Sequence, residues 1–381
     1  MKIVACDCLG ISEEWFNQFA VKEKLNIIKT IFPNSNQGYL EFPEENEWDY
    51  LIIFEQGMRK FFDNALKFFQ IPNTRYIYAL DWNSWAEHPA AVYELLNPSR
   101  EVLAYPLLTL KTLRHFNYFM TCTTHDGMNY IATSKDIAII QFMYVYNQTW
   151  AEVEMNFFHD LAKEFYNVDD SEGLFLDLGA NIGTTGIYFT KKIAPNLRLL
   201  AFEPDAENFK LLRANLILND AEKNTVAENY GLGVEESEYN IRKILHNPGG
   251  NGLYRGELKS GDAKVNVIPL DKYFAEKNLN PKDVKYIWID TEGFEAQVLL
   301  GAQNILHENP APIFMEFNPG IYQRQGCYEK WMELLTELYE NYVFVQEAIN
   351  TKNTNVYPIE KLWEYQNTTK QVGDIVLIRK Q

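Results

Sequence analysis

The stretch LFLDLGANIGTTG, residues 174–186, places a carboxylate and two glycines in one turn. An apolar run leads to Asp177, and Gly179, Asn181 and Gly183 follow at every second position. Glycines in such a turn let the backbone pass close to a bound nucleotide. Asp177 would repel a pyrophosphate, and the order of residues lacks the GxGxxG pattern of dinucleotide sites. The turn therefore predicts a nucleoside ligand that carries positive charge and no phosphate.

S-adenosylmethionine has these properties, because it is a nucleoside with an ammonium and a sulfonium group. Its ribose needs an acidic partner at the end of the second strand. Glu203, in AFEPD, lies 20 residues beyond Gly183 and suits that role. Read singly, Asp177 is equally a helix N-cap and Glu203 a solvated loop acid. We predict S-adenosylmethionine as the cofactor, bound by Asp177, Gly179, Asn181, Gly183, Glu203, Pro204 and Asp205.

Alternating strand and helix patterns hold these residues in place from residue 174 onward. Repeated strand–helix units indicate a parallel sheet with helices on both faces. The ligands of such sheets bind at the carboxyl ends of the strands. We therefore predict an α/β fold, with the ligand-binding domain over residues 171–381.

The earlier part of the chain predicts a second, smaller unit. KIVAC, WDYLIIF and RYIYAL have strand patterns, and helical spacing from Met58 to Phe69 lies between the last two. Strand, helix and strand at this length predict a small N-terminal α/β domain over residues 1–105, for docking or substrate positioning. Residues 106–170 are predicted to form a bridging hairpin, with a turn at Asp126–Gly127, and a helix over 147–166.

Composition limits the class of protein and its partners. The 381 residues include 52 acidic and 35 basic side chains, a formal charge of −17, so nucleic acid is not an expected partner. No run of about 18 apolar residues occurs, and the N-terminus lacks the pattern of a signal peptide. We expect a cytoplasmic protein without a membrane span. The four cysteines are scattered, without the spacing of a zinc site.

Several motifs, in the same order, resemble the FkbM family of S-adenosylmethionine-dependent methyltransferases. They are FLDLGANIGTTGIYF, AFEPDAENFKLLRANLILND and YIWIDTEGFEAQVLLGA. The resemblance covers about residues 145–380 and does not reach residues 1–105. It implies a Rossmann-like class I methyltransferase domain with a mostly parallel seven-stranded sheet. It also implies an O-methyltransferase whose acceptor is a hydroxyl of a small molecule, a sugar or a glycan precursor.

The catalytic candidates follow the predicted strand VKYIWID. In an extended strand residues i and i+2 point the same way, so Asp290 and Glu292 can face one site. The usual methyltransferase arrangement puts this strand end beside the transferable methyl group. Asp290, Glu292 and Glu316, which ends the next strand, can orient a hydroxyl or accept its proton. Asp290 and Glu292 can instead accept backbone N–H groups, and the three acids together can hold a divalent metal; with no further Asp or Asn ligand evident, no metal is expected.

Two other readings of the sequence stay open. The chain is compatible with a methyltransferase fold that has lost catalysis and binds a partner through its N-terminal domain, although the intact Asp177, Glu203 and Asp290 argue against this. A nicotinamide dehydrogenase is disfavoured by the missing GxGxxG pattern. The sequence leaves a homodimer open as the assembly. The stretch HNPGGNGLYRGE predicts either a mobile loop near the acceptor or a surface linker.

Overall fold

The computed structural model describes residues 2–7, 26–31, 50–54, 76–78, 119–133, 135–136, 138–244, 247–369 and 371–379. Its chain forms two compact units, Met1–His115 and Phe116–Gln381.

The described part of the first unit is a parallel sheet. Its strands are β1 (Lys2–Asp7), β2 (Asn26–Ile31), β3 (Tyr50–Phe54) and β4 (Tyr76–Tyr78), in the order β2-β1-β3-β4. The patterns KIVAC, WDYLIIF and RYIYAL coincide with β1, β3 and β4. The strand β2 was missed, because Val21, Leu25 and Ile28 continue at helical spacing into it. The predicted helix between β3 and β4 lies outside the described residues.

The second unit contains fourteen described strands and ten described α-helices. The strands are β5 (Phe119–Thr123), β6 (Asn129–Thr133), β7 (Leu174–Leu178), β8 (Arg198–Phe202), β9 (Thr225–Glu228), β10 (Gly231–Leu232), β11 (Ser237–Arg242), β12 (Gly252–Tyr254), β13 (Ala263–Ile268), β14 (Val284–Ile289), β15 (Ile313–Phe317), β16 (Tyr339–Phe344), β17 (Val356–Pro358) and β18 (Gly373–Arg379). The helices are α1 (Ile139–Tyr146), α2 (Glu152–Tyr166), α3 (Thr184–Tyr188), α4 (Ala206–Leu218), α5 (Leu270–Lys277), α6 (Glu295–Leu300), α7 (Gln303–Glu308), α8 (Pro319–Arg324), α9 (Tyr328–Leu338) and α10 (Val345–Thr351).

The central sheet has the strand order β17-β16-β18-β15-β14-β7-β8-β9. The strands β15, β14, β7, β8 and β9 run parallel, and β18, β16 and β17 add antiparallel pairs at one edge. All five residues of β7 are buried, as expected for an inner parallel strand covered on both faces. The mostly parallel α/β sheet is therefore confirmed, with the three-residue β17 as an eighth strand beyond the seven expected.

A hairpin precedes the central sheet. The strands β5 and β6 pair antiparallel around the turn at Asp126–Gly127, as predicted. Buried and more exposed residues alternate along both strands, so one face of the hairpin packs on the unit. The helix predicted over residues 147–166 begins five residues later, at Glu152.

A four-stranded sheet, β10-β13-β11-β12, follows β9. The stretch HNPGGNGLYRGE enters this sheet: its described part forms a 3₁₀ turn, Pro248–Gly250, and then the strand β12. The prediction of a loop or linker without regular structure is wrong here, because β12 pairs with β11 and glycine-rich composition conceals the strand.

The helices bury the central sheet on both faces. On one face, rings from α2, β7, the π-helical segment Phe189–Ile193, β14 and β15 meet in an aromatic cluster formed by Phe158, Phe175, Phe189, Tyr286, Trp288 and Phe314. On the other, apolar side chains of α6 and α9 pack against strands β14 to β18. Among the described helices, none combines the length and the apolar character needed to cross a membrane.

Candidate active site

Two clefts open at the carboxyl ends of β7, β8, β14 and β15. The first, called the glycine cleft here, is lined by Gly179, Asn181, Glu203, Pro204, Asp290 and Glu292, among other residues. The second, called the acidic cleft, is lined by Trp150, Glu154, Glu316 and Asp374 and again by Asp290 and Glu292. Asp290 and Glu292 therefore belong to both clefts and mark the place where the two meet.

The turn after β7 brings two chain segments into close contact. Gly179 has φ +97°, and a Cβ atom there would lie 1.8 Å from the Asp290 carbonyl oxygen. The N–H groups of Gly179 and Ala180 both donate to the Phe202 carbonyl, at 3.0 and 2.8 Å. Only glycine allows this approach and this φ together. The turn thus joins the ends of β7, β8 and β14 into one rim.

Glu203 is buried and ties two turns together. One carboxylate oxygen accepts the Asn181 N–H at 2.8 Å and the other accepts the Asp205 N–H at 2.7 Å. Burial raises the pKa of Glu203 to about 8, and these two N–H groups oppose that rise. A carboxylate has about four lone-pair positions. Glu203 can therefore hold the turn and still accept hydrogen bonds from a ribose diol.

Asn181 carries a buried polar atom without a partner in the glycine cleft. Its backbone has φ 49°, in the left-handed region that asparagine tolerates. Its side-chain oxygen is buried in the glycine cleft and has no hydrogen-bond partner. Buried polar atoms without a partner are rare in native proteins and mark places where a ligand or water binds. Together with the Glu203 carboxylate beside it, this oxygen forms a pair of acceptors that suits the hydroxyl and amino donors of a nucleoside.

Asp177 contacts the helix that follows the glycine turn. It lies within β7, is almost fully buried, and accepts the Gly186 N–H at 2.9 Å. Gly186 is in the first turn of α3, where N–H groups lack helical partners. A Cβ atom at Gly186 would lie 2.5 Å from the Asp177 carboxylate. Asp177 is outside the lining of the glycine cleft, in agreement with the capping alternative, and its contact with the cofactor stays a prediction.

Of the remaining predicted cofactor residues, some line the glycine cleft and others stabilise the segments around it. Gly183 has φ +87°, and a Cβ atom there would lie 2.5 Å from the Leu212 side chain, so it permits close packing of the turn on α4. Pro204 lines the cleft directly. Asp205 caps α4, since its carboxylate accepts the N–H groups of Glu207 and Asn208.

Asp205 also anchors the wall of the glycine cleft formed by residues 247–251. Its second oxygen contacts the Lys243 ammonium and accepts the Asn251 side-chain amide at 3.1 Å. The Asn208 amide donates to the Pro248 carbonyl at 3.0 Å. These contacts place Asp205 behind the wall of the cleft. The sequence missed this role because the partners lie about 40 residues further along the chain.

We expect Lys243→Met to weaken S-adenosylmethionine binding by roughly tenfold. A charge-assisted hydrogen bond such as that between Lys243 and Asp205 contributes about 1.5–3 kcal/mol, and only part of this free energy stabilises the cleft wall against which the cofactor binds. Titration calorimetry measures the change. Lys264→Met is the matched control, since Lys264 is paired with Glu238 on the same small sheet and is more than half exposed. Equal affinity in the two variants would exclude the anchoring role of Lys243.

The predicted catalytic acids converge on the acidic cleft. Asp290 follows β14 directly, Glu292 has φ 53° in the turn to α6, and Glu316 is in β15. Asp374 joins them because β18 is antiparallel to β15 and pairs it in register with Glu316. An acid at the start of an antiparallel strand lies at the same sheet edge as acids at the ends of parallel strands. The segment GDIVLIRK shows this pattern, because its acid, Asp374, comes at the start of the strand.

The carboxylates in the acidic cleft raise one another's pKa values. Asp290 is open to solvent at the mouth of the cleft but otherwise enclosed by protein, and burial followed by the charges of Glu292 and Glu316 raises its pKa well above the usual value. Glu292 is also partly open to solvent, and its desolvation in the cleft raises its pKa to about 7. Burial and the charges of Glu292 and Asp374 raise the pKa of Glu316 to about 8. Acids with raised pKa values are stronger proton acceptors once ionised.

Aromatic rings form much of the rest of the acidic cleft. The Trp288 and Phe314 rings stack with centroids 3.6 Å apart, and Trp150 makes an edge contact with Phe142 at 5.3 Å. All four residues line the cleft. Trp150 comes from the segment before α2 and Glu154 from the first turn of α2. The sequence did not reveal that these two residues contribute to the cleft. Among the described residues, no group of three or more His, Cys, Asp or Glu side chains has the geometry of a metal site.

The chain is similar in sequence to known methyltransferases. The Methyltransferase FkbM domain matches residues 177–345. The methyltransferase sdnD of Sordaria araneosa is 30% identical over an alignment of 203 residues, which covers 46% of this chain and 73% of the sdnD chain.

Two solved structures are among those similar to the chain. A methyltransferase FkbM from Methylobacillus flagellatus is 14% identical with a TM-score of 0.30, over 83% of this chain and 79% of that one. An O-methyltransferase from Bacillus cereus in complex with SAH is 10% identical with a TM-score of 0.34, over 61% of this chain and 82% of that one. On its motifs and its sequence relatives, the chain belongs to the FkbM family of S-adenosylmethionine-dependent methyltransferases.

Proposed function

We propose that the enzyme methylates a hydroxyl group of an uncharged sugar, glycan precursor or related polyol. The observation that carries this proposal is the position of Asp290 and Glu292, which line both clefts. S-adenosylmethionine occupies the glycine cleft and the acceptor the acidic cleft. Each carboxylate is then in reach of an acceptor oxygen beside the transferable methyl group.

The chemistry follows from how these carboxylates hold the acceptor. When bound, S-adenosylmethionine supplies a methyl group whose bond to sulfur breaks as the acceptor oxygen forms its new bond. Asp290 accepts a hydrogen bond from the acceptor hydroxyl and so fixes its direction of attack. As the oxygen becomes positively charged, Asp290 takes its proton. Glu292 and Glu316 keep the pKa of Asp290 high enough for this transfer.

The charge of the acidic cleft narrows the choice of acceptor. Its lining includes Glu154, Asp290, Glu292, Glu316 and Asp374, and none of its described lining residues is Lys, Arg or His. A phosphate or carboxylate on the acceptor would be repelled by these groups. The aromatic side chains, Trp150 in particular, suit the apolar C–H faces of a sugar ring.

Methyl transfer to matched acceptor pairs tests this proposal. We expect methylation of neutral sugars and polyols when the protein is incubated with S-adenosylmethionine labelled in its methyl group. We expect at least roughly tenfold lower kcat/KM for the phosphorylated partner of each pair, the effect of about 1.4 kcal/mol of repulsion. Mass spectrometry of the products identifies the methylated atom. Preferred methylation of the phosphorylated acceptors, or of nitrogen, would contradict the proposal.

A further inference from the structure

Glu295, at the start of α6, holds the turn that carries Asp290 and Glu292. It is fully buried. Its Oε1 atom accepts the N–H groups of Thr291 and Gly293, both at 3.0 Å, and the Thr291 hydroxyl at 3.1 Å. Glu292 and Gly293 have φ values of 53° and 94°, a left-handed pair that is unfavourable for glutamate. The contacts of Glu295 therefore stabilise a strained conformation at the active site.

The other oxygen of Glu295 lies beside a hydroxyl that has a second acceptor within reach. The Tyr322 hydroxyl is 3.0 Å from Oε2 of Glu295 and 2.7 Å from the Glu316 carbonyl oxygen. A tyrosine hydroxyl has one proton, and a carbonyl can only accept. If Tyr322 donates along the shorter contact, the longer one needs a proton on Glu295.

We propose that Glu295 is a neutral positioning residue, which donates from Oε2 to Tyr322 while Tyr322 donates to the Glu316 carbonyl. This series of hydrogen bonds connects the turn of Asp290 to the strand of Glu316, and so sets the position of the acids that face the acceptor. Its effect on turnover rests on the proposed function, whereas the protonation of Glu295 does not.

The surroundings of Glu295 favour its neutral form. Its titratable neighbours are all acids: they are Asp290, Glu292, Glu316, Tyr322 and Cys327. No salt bridge to Glu295 forms within the described part of the chain. Burial raises its pKa above the usual value of glutamate, although the N–H groups of Thr291 and Gly293 oppose that rise. A neutral Glu295 also adds no further negative charge beside Asp290.

The pH dependence of unfolding tests the protonation of Glu295 without any substrate. Because its pKa is raised in the folded state, the native protein binds more protons than the unfolded chain between the two pKa values. The contribution of Glu295 to stability is therefore present at low pH and is lost as pH rises through the folded pKa. Glu295→Gln is neutral at every pH, so its urea midpoint should fall less between acidic and basic pH than that of wild type.

Glu308→Gln is the control, since Glu308 is exposed on the nearby helix α7, and it should keep the wild-type pH dependence. An unchanged pH dependence in Glu295→Gln would overturn the proposal. So would a urea midpoint for Glu295→Gln as low at every pH as that of Glu295→Ala, since an ionised Glu295 could not be replaced by an amide.

Turnover tests the positioning role separately. Glu295→Gln keeps both an acceptor and a donor, so it should restore most of the kcat that Glu295→Ala loses. Tyr322→Phe should lower kcat by up to about 10²-fold with little change in KM, the effect of misplacing a reacting group by about 1 Å. Equal loss of kcat in Glu295→Gln and Glu295→Ala would overturn the positioning role. If wild type transfers no methyl group at all, the proposed function fails, and the unfolding experiment still decides whether Glu295 is neutral.

Discussion

Asp290→Asn should lower kcat by about 10²–10⁴, the usual contribution of a positioned acid or base, and leave S-adenosylmethionine binding close to wild type. Asparagine preserves the shape of the side chain and removes its ability to accept a proton. The backbone contacts at this position, the N–H donated to the Leu178 carbonyl and the carbonyl packed against Gly179, do not depend on the side chain. Steady-state kinetics with an acceptor that wild type methylates measure the change in kcat. Calorimetry with the cofactor measures the change in binding.

The pH profile distinguishes proton transfer from a merely structural effect. Asp290 has to be ionised to accept a proton, so kcat/KM of wild type should rise with pH through its raised pKa. Residual activity of Asp290→Asn should lack that rise. Asp283→Asn is a suitable control, because Asp283 precedes β14 at the opposite end of the strand. Full turnover in Asp290→Asn would show that another residue receives the proton, and loss of cofactor binding would show that the roles were divided wrongly.

Glu203→Gln should weaken S-adenosylmethionine binding by about ten- to a hundredfold, or 1.4–2.7 kcal/mol. Each oxygen of Glu203 accepts one backbone N–H, from Asn181 and from Asp205. A glutamine places an NH₂ group against one of these donors and leaves a buried N–H without an acceptor, which costs about 1–3 kcal/mol. The same substitution removes an acceptor for the ribose hydroxyls. Calorimetry measures affinity, and thermal unfolding measures the loss in the turn itself.

The pKa of Glu203 adds a second signature to this variant. Burial raises it to about 8 in the free protein, and hydroxyl donors from a ribose favour the ionised carboxylate. Wild-type affinity should therefore increase as pH rises through about 8, whereas Glu203→Gln should show no such increase. Glu222→Gln, at an exposed position between α4 and β9, provides the control. A pH-independent affinity in wild type would contradict the contact between Glu203 and the cofactor.

The rim of the glycine cleft could be predicted from the sequence because it is local. Gly179, Asn181 and Gly183 adopt positive φ values in the turn where their spacing indicated close approach of the backbone. Glu203 follows β8 and lines the cleft, as the spacing of strands in a parallel sheet suggested. Asp177 is different because it lies inside β7, where alternation of side chains directs it toward α3. A residue that follows the strand can line the cleft, as Glu203 does, whereas a residue inside the strand contacts a helix, as Asp177 does.

The acidic cleft could be predicted only in part, because it depends on pairing between distant segments. Asp290 and Glu292 were identified from one strand end. Asp374 arrives through the antiparallel register of β18 with β15, and Trp150 through the segment that precedes α2. Neither pairing leaves a periodic pattern in the sequence. The proton on Glu295 is a finer feature, which depends on distances of 2.7 and 3.0 Å around one hydroxyl.

The central claim is that cofactor and acceptor have separate clefts that meet at Asp290. Titration of S-adenosylhomocysteine into wild type, Glu203→Gln and Asp290→Asn under one set of conditions tests it most directly. We predict that the Kd rises about ten- to a hundredfold in Glu203→Gln and stays within about twofold of wild type in Asp290→Asn. Equal affinity in all three proteins, or weaker binding in Asp290→Asn than in Glu203→Gln, would contradict the account.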